Sequence, residues 1–212
     1  MTHVAAAFGY PLRKGCARSW AIGLPLVLLF PLGILPLLGY SIAAVRASTD
    51  DPDAGPPPWS SPARLLADGF WVALLLVLVS LPFAVVTTLT GRFLGAHLTG
   101  LPGTDDSTIA SLVGGVLAAA VLGLPWGILL LVLMPAATFR FAASGRVRDL
   151  FDLPAAVRRV RADFAAWNLV AVAIVTAWAV GLAGLGIFGI GVIPGIYFAI
   201  LASAHATAAL HD

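Results

Sequence analysis

"FAAWNLVAVAIVTAWAVGLAGLGIFGIGVIPGIYFAILASAHATAALH", residues 164–211, runs for 48 positions between Asp163 and Asp212 without one Lys, Arg, Asp or Glu. A helical bilayer crossing takes about 20 apolar residues. The run is too long for one crossing and holds two, with a turn near "GLGIFGIGVIPG" (184–195). Three further uncharged runs, 19–45, 69–91 and 107–139, bring the total to 131 of 212 residues. Hydrophobic residues make up 60% of the chain and charged residues 10%, against roughly 45–50% and 25% in soluble domains. So little charge cannot coat a soluble globule, and the chain reads as a polytopic integral membrane protein.

The net charge of +2 reflects where the basic residues sit and does not make a nucleic-acid-binding patch. Eleven of the twelve basic residues are Arg, the other is Lys14, and all ten acids are Asp. Cys16 is the single cysteine, which excludes an internal disulfide and any CxxC metal or redox site. The first apolar run far exceeds the 7–15 residues of a signal-peptide core, so the N-terminal segment is expected to remain attached.

The opening stretch, "VAAAFGYPLRKGCARSW" (4–20), is too polar to span. Phe8, Leu12, Cys16 and Trp20 recur every four residues, with Arg13, Lys14 and Arg18 between them. Residues 1–18 therefore read as an interfacial segment whose basic side chains reach lipid headgroups. The run 19–45 contains Pro25, Pro31 and Pro36, and proline kinks or breaks helices, so this run reads as a broken, re-entrant helix pair. "RASTDDPDAGPPPWSS" (46–61) reads as an acidic, Pro-rich loop without a folding pattern. Ser61 before Pro62 signals a helix start, leading through "ARLLADGFW" into a span over 69–89. A loop follows from Thr90 to Ser107, with a cap at "GTDD" (103–106). The run 108–139 would be about 48 Å long as one straight helix, so it either projects beyond the bilayer or bends at "GLPWG" (123–127).

Leu150, Leu153, Val157, Val160, Phe164 and Trp167 fall at spacings of three and four. Arg158, Arg159 and Arg161 lie on the opposite side, and Asp152 is placed to cap the helix. Such a stripe describes an amphipathic interfacial helix, either in lipid or packed on the protein's own cytoplasmic surface.

Short cytoplasmic loops are enriched in Lys and Arg. With both termini, the 46–64 loop and the 140–161 segment inside, 11 of the 12 basic residues are cytoplasmic and Arg92 alone is outside. The competing arrangement makes 19–45 a full span and 108–139 the hairpin, with a 10 to 2 split. Both place the N- and C-termini in the cytoplasm. "GLP" at 23–25 and at 123–125 is each followed by a Pro, an aromatic residue, Ala-Ala, an Arg and an amphipathic segment. This echo suggests a two-fold repeat, 19–106 and 107–212, inside one membrane domain of residues 1–212.

Tyr10-Pro11, a basic residue, Trp20 and Ile22-Gly23 come first in a familiar order. "LGY" (38–40), Arg46, the Pro-rich acidic loop and "LLADGFW" (65–71) follow. This order resembles the prokaryotic membrane family, common in archaea, catalogued as domain of unknown function four thousand and thirteen. The likeness is clearest over the first 90 residues and extends through "PAATFRFAASGRVRDLFDL" (135–153). The family usually carries a basic pair after its Tyr, where this chain has Arg46 alone. The resemblance implies a multi-pass membrane protein with no assigned activity, and no catalytic residue carries over.

Candidates for chemistry are few. His205 and His211 are six apart, off the i, i+3 or i+4 spacing of ligands on one helix face, and read as interfacial. Asp68 and Asp163 read as caps at helix entries. Asn168 and Thr176 read as interhelical hydrogen-bonding positions, and Trp20, Trp59, Trp71 and Trp167 as an aromatic belt. Gly181, Gly184, Gly191 and Gly195 form a small-residue surface for close helix packing, within the last hairpin or between chains. No Walker loop, catalytic triad, HExxH helix or carboxylate pair is present. The expected protein is therefore all-α, with about four full spans plus the re-entrant hairpin and with cytoplasmic interfacial helices. No catalytic, cofactor or metal site is expected. Its expected partners are the bilayer and a membrane protein or a second copy, and not nucleic acid. Two functions fit: a non-enzymatic scaffold or accessory subunit, or a small-solute permease or channel.

Overall fold

A computed structural model describes residues 2–99, 107–186 and 191–211. These form nine α-helices and no strand: α1 (Thr2–Gly9), α2 (Cys16–Leu28), α3 (Ile34–Asp50), α4 (Pro62–Leu98), α5 (Ser107–Ser144), α6 (Val147–Phe151), α7 (Leu153–Ala162), α8 (Phe164–Ala183) and α9 (Val192–Ala208). Three helical stretches, Pro62–Leu98, Thr108–Ser144 and Phe164–Gly186, are long and apolar enough to cross a membrane. At 1.5 Å per residue α4 and α5 each extend about 55 Å, well past a hydrocarbon core of about 30 Å. The 48-residue terminal run does divide into two helices, and the centre of its turn, 187–190, lies outside the described residues.

Two expectations about the central runs change. Thr90–Leu98, read as loop, continues α4, while "GTDD" lies outside the described residues. The stretch 108–139 is one uninterrupted helix through Pro125, so the arrangement with a hairpin there is overturned. α5 stops at Ser144 because Gly145 takes φ +67, a left-handed helix cap, and its amide donates to the Phe141 carbonyl at 2.9 Å.

Contacts divide the chain into two compact units, Met1–Ala73 with Val132–Asp212, and Leu74–Leu131; the units cross the 106/107 boundary of the sequence echo. In the first unit, the three prolines of 19–45 act differently from one another. Pro25 sits inside α2, Pro36 lies in the first turn of α3 where a missing donor is harmless, and the break falls at Leu29–Gly33 around Pro31. α9 packs against α1, α2, α3 and α8. Its small side chains, Ala199, Ala202, Ala204, Ala206 and Ala208, are buried and let neighbouring helices close in.

Glycine sets the nearest approaches. A Cβ on Gly181 would lie 2.4 Å from the Gly195 carbonyl oxygen, and one on Gly184 2.3 Å from that of Gly191. α3 and α4 meet the same way, with Gly39 against the Leu65 carbonyl and Gly69 against that of Leu35. The amphipathic stripe is divided over α6, α7 and α8 by Asp152 and Asp163. Leu150, Val160 and Trp167 are buried, whereas Phe164, just past the second break, is 61% exposed.

In the second unit the α4 and α5 backbones close at Gly91, Gly95 and Gly114, where a Cβ on Gly114 would lie 2.4 Å from the Gly91 oxygen. Phe83 and Trp126 stack at 5.3 Å beside an apolar cavity of about 290 Å³ that includes Pro82 and Pro125. Gly123 has nothing within 4 Å of a built Cβ. Gly114→Val should therefore lower stability by about 1–3 kcal/mol through backbone overpacking. Gly123→Ala on the same helix should raise it by about 0.5–1 kcal/mol. Thermal melts of the two variants in detergent, read against the parent, check the opposite signs.

Candidate functional site

Buried hydroxyls and indoles from four segments converge in the first unit. Ser19 on α2 places its Oγ 2.6 Å from the Tyr40 hydroxyl on α3 and 2.5 Å from the Tyr197 hydroxyl on α9. Tyr40 also reaches the Pro57 carbonyl at 2.7 Å. A carbonyl only accepts and each hydroxyl has one hydrogen, which orders the chain. Tyr40 donates to Pro57 and Ser19 donates to Tyr40, which leaves Tyr197 directing its one hydrogen at Ser19, shared between Oγ and the carbonyl. The Ser19 carbonyl accepts from Trp59 Nε1 at 3.2 Å and lies 3.0 Å from the Tyr197 hydroxyl. The Trp59 ring stacks on Tyr40 at 4.0 Å. The Pro-rich loop, read as unstructured, is thus folded back onto the helices, with Pro56 buried.

Trp20 and Trp59 pack against this hydroxyl chain. Trp20 packs edge-on to Tyr197 and donates to the Pro11 carbonyl at 2.8 Å. Trp167 is buried and Trp71 meets Phe151 edge-on. His205 is buried within the helix packing. It stacks on Tyr10 at 4.6 Å, and its Nδ1 lies 3.0 Å from Ser48 Oγ. Burial raises the Tyr10 phenol above its ordinary value, so it stays protonated through neutral pH. The side chain of His211 lies outside the described residues. Among the described residues no group of three or more His, Cys, Asp or Glu could hold a metal ion.

Two ion-pair networks bind the helix ends. Arg46, late in α3, pairs with Asp68 at 2.5 Å, donates from Nε to the Ala142 carbonyl at 3.1 Å and lies over the Phe141 ring. Asp68 sits in the second turn of α4 and also faces Arg64 at 3.9 Å, so its role is pairing and not capping. Arg140 reaches Asp149 at 3.8 Å and Asp152 at 3.3 Å. Asp152 Oδ1 caps α7 by accepting from the Ala155 amide at 3.0 Å. That amide and the Arg140 guanidinium hold the Asp152 carboxyl below the usual carboxylate range. Asp163 Oδ1 caps α8 in the same way through Ala166.

The basic residues named from sequence are not alike in place. Arg13 donates to the Pro52 and Ala54 carbonyls at 2.5 and 3.0 Å and fastens the loop. Lys14 and Arg18 are exposed, as are Arg158, Arg159 and Arg161 on α7. Arg159 lies over the Phe139 ring at 4.7 Å and donates to the Leu210 carbonyl. It lines a cavity of about 220 Å³ together with Asp163 and Trp167. Asn168 and Thr176 are exposed on α8, and Thr176 bonds to its own helix at the Val172 carbonyl, 2.7 Å away, so it does not link helices.

Sequence reasoning missed the Ser19–Tyr40–Tyr197 chain, the Arg46–Asp68 pair and the Gly91/Gly95 contact. Only the last had a local signal, the i, i+4 glycine spacing. Replacing Ser19 with Ala removes the hub but leaves each tyrosine hydroxyl one carbonyl partner. The loss should be about 1–2 kcal/mol, the net worth of one to two hydrogen bonds. Tyr197→Phe should lose no more than Ser19→Ala, and denaturation midpoints of the two variants check the ranking.

No curated protein and no solved structure matches the chain. A family described as "Protein of unknown function (DUF4013)" matches residues 22–194. That match runs from within α2 to the first turn of α9 and includes Tyr40, the Gly39 and Gly69 contacts and the Gly184–Gly191 contact. The chain belongs to this family of unknown function.

Proposed function

We propose that the protein is a non-enzymatic membrane scaffold or accessory subunit of the cell membrane that binds lipid or a partner protein. The observation that carries this reading is the exposure of α4 and α5. Only 11% of the most apolar stretch of each is buried, and side chains such as Leu81, Leu89, Leu112, Val116, Val121 and Leu124 are more than half exposed. So much uncovered apolar surface calls for lipid or another subunit. The exposed cations Lys14, Arg18, Arg158 and Arg161 suit the headgroup layer.

The charge distribution supports four spans, α4, α5, α8 and α9, with both termini cytoplasmic and α2–α3 entering and returning on the same side. α2, with 13 residues, is about 20 Å long and too short to cross alone. A permease is the second reading, favoured by the hydroxyl chain of Ser19, Tyr40 and Tyr197 set between a broken helix pair and α9.

Purification in mild detergent followed by mass spectrometry of what co-elutes should recover a stoichiometric protein partner or a retained phospholipid. A retained small solute in place of both would overturn the scaffold reading in favour of transport. For topology, Cys16 is the only thiol. A membrane-impermeant maleimide should leave it unlabelled in intact cells and label it after lysis. Labelling of intact cells would place the N-terminus outside.

A further inference from the structure

We propose that the cavity at the α7–α8 junction seats the headgroup of an amine-bearing, zwitterionic phospholipid, with phosphate at Arg159 and ammonium at Asp163. This rests on the lipid-binding arm of the function proposed above and names the class of lipid. The cavity, about 220 Å³, is lined by Ala136, Arg159, Val160, Asp163, Trp167 and Leu210, among others. It is smaller than the roughly 300–1,000 Å³ pockets of drug-sized ligands and so suits a headgroup.

Opposite charges line this cavity without neutralising each other. Among the described residues neither Arg159 nor Asp163 takes part in an ion pair. The Arg159 guanidinium is held in place by the Phe139 ring beneath it and by one hydrogen bond to the Leu210 carbonyl. A guanidinium has five N–H donors, so most remain for a ligand. Asp163 uses Oδ1 to cap α8, and its other oxygen has no described donor. Trp167, 8% exposed, lines the same cavity, and its indole N–H has no acceptor.

The depth fits as well. The apolar stretch Phe164–Gly186, long enough to cross a membrane, begins immediately after Asp163, which puts the cavity at the headgroup layer. Phe164, Leu169, Val172 and Val175 are exposed along α8 and offer an apolar track for acyl chains. A purely anionic headgroup would bring phosphate against the Asp163 carboxylate, whereas a zwitterion answers both charges. A primary ammonium adds N–H donors that the carboxylate can accept, which a quaternary amine lacks.

The test is native mass spectrometry of the full chain in detergent, titrated separately with phosphatidylethanolamine, phosphatidylglycerol and phosphatidylcholine. The parent should retain phosphatidylethanolamine roughly tenfold better than the other two, the factor that about 1.4 kcal/mol of charge-assisted contact gives. Asp163→Asn keeps an oxygen to cap α8 but removes the charge. It should abolish the preference while still binding phosphatidylglycerol. Arg159→Gln should weaken all three lipids. Because Arg159 also packs on Phe139, a folding defect in that variant leaves Asp163→Asn as the deciding one. Equal retention of the three lipids by the parent, or an unchanged preference in Asp163→Asn, overturns this proposal alone. Retention of none of them overturns it together with the lipid-binding arm it rests on.

Discussion

In a chain with so few charges, a polar group inside the helix packing has to find its partner in the protein, because apolar surroundings offer it neither water nor counter-ion. The Ser19 hydroxyl meets this constraint for three elements together. It sits between Tyr40 and Tyr197, and the carbonyl of the same residue receives Trp59. Four segments distant in sequence are fixed to one serine: α2, α3, the Pro-rich loop and α9. The aromatic rings around it are held by these bonds, with Trp59 flat on Tyr40 and Trp20 edge-on to Tyr197. The arginines obey the same rule at the helix ends, where Arg46 joins α3 to Asp68 of α4 and Arg140 joins α5 to Asp149 of α6 and to Asp152, the cap of α7.

Around these polar junctions the helices meet through small residues. Apolar burial gives helices little drive to associate in lipid, so close packing and hydrogen bonding have to hold them together. Gly181 against Gly195 and Gly184 against Gly191 bring α8 and α9 to backbone contact, and Gly39 and Gly69 do so for α3 and α4. Within the second unit Gly91, Gly95 and Gly114 serve the same purpose. Many large side chains of that unit are left exposed.

The exposed face of α7 differs in kind from the interior. Arg46 and Arg140 are paired within the protein, whereas Arg158 and Arg161 are exposed, and Arg159 and Asp163 line one cavity without an ion pair. The two cap residues of the α6–α8 segment are what make this possible. Asp152 and Asp163 stop and restart the helix, turning a single stripe into three short faces and opening the cavity at the second break.

Composition and run length alone determined the helical membrane character, the division of the last 48 residues into two helices and the break inside 19–45. These depend on apolar length, proline and helix periodicity, which are properties of contiguous residues. The caps at Asp152 and Asp163 were legible for the same reason, since a cap bonds within its own first turn. Only the tertiary structure decided that Asp68 pairs with Arg46, that His205 and three tryptophans turn inward or seal the hydroxyl chain, and that Arg13 holds a loop. Each of those roles needs a partner 20 or more residues away, as in the separations of 22 for Arg46–Asp68 and 178 for Ser19–Tyr197. Periodicity carries no information about which distant groups will meet. Pro125 shows the opposite limit: a residue that disfavours a continuous helix stands inside an unbroken α5. Local propensity weights a helix break, and the packing of the folded chain settles whether it occurs.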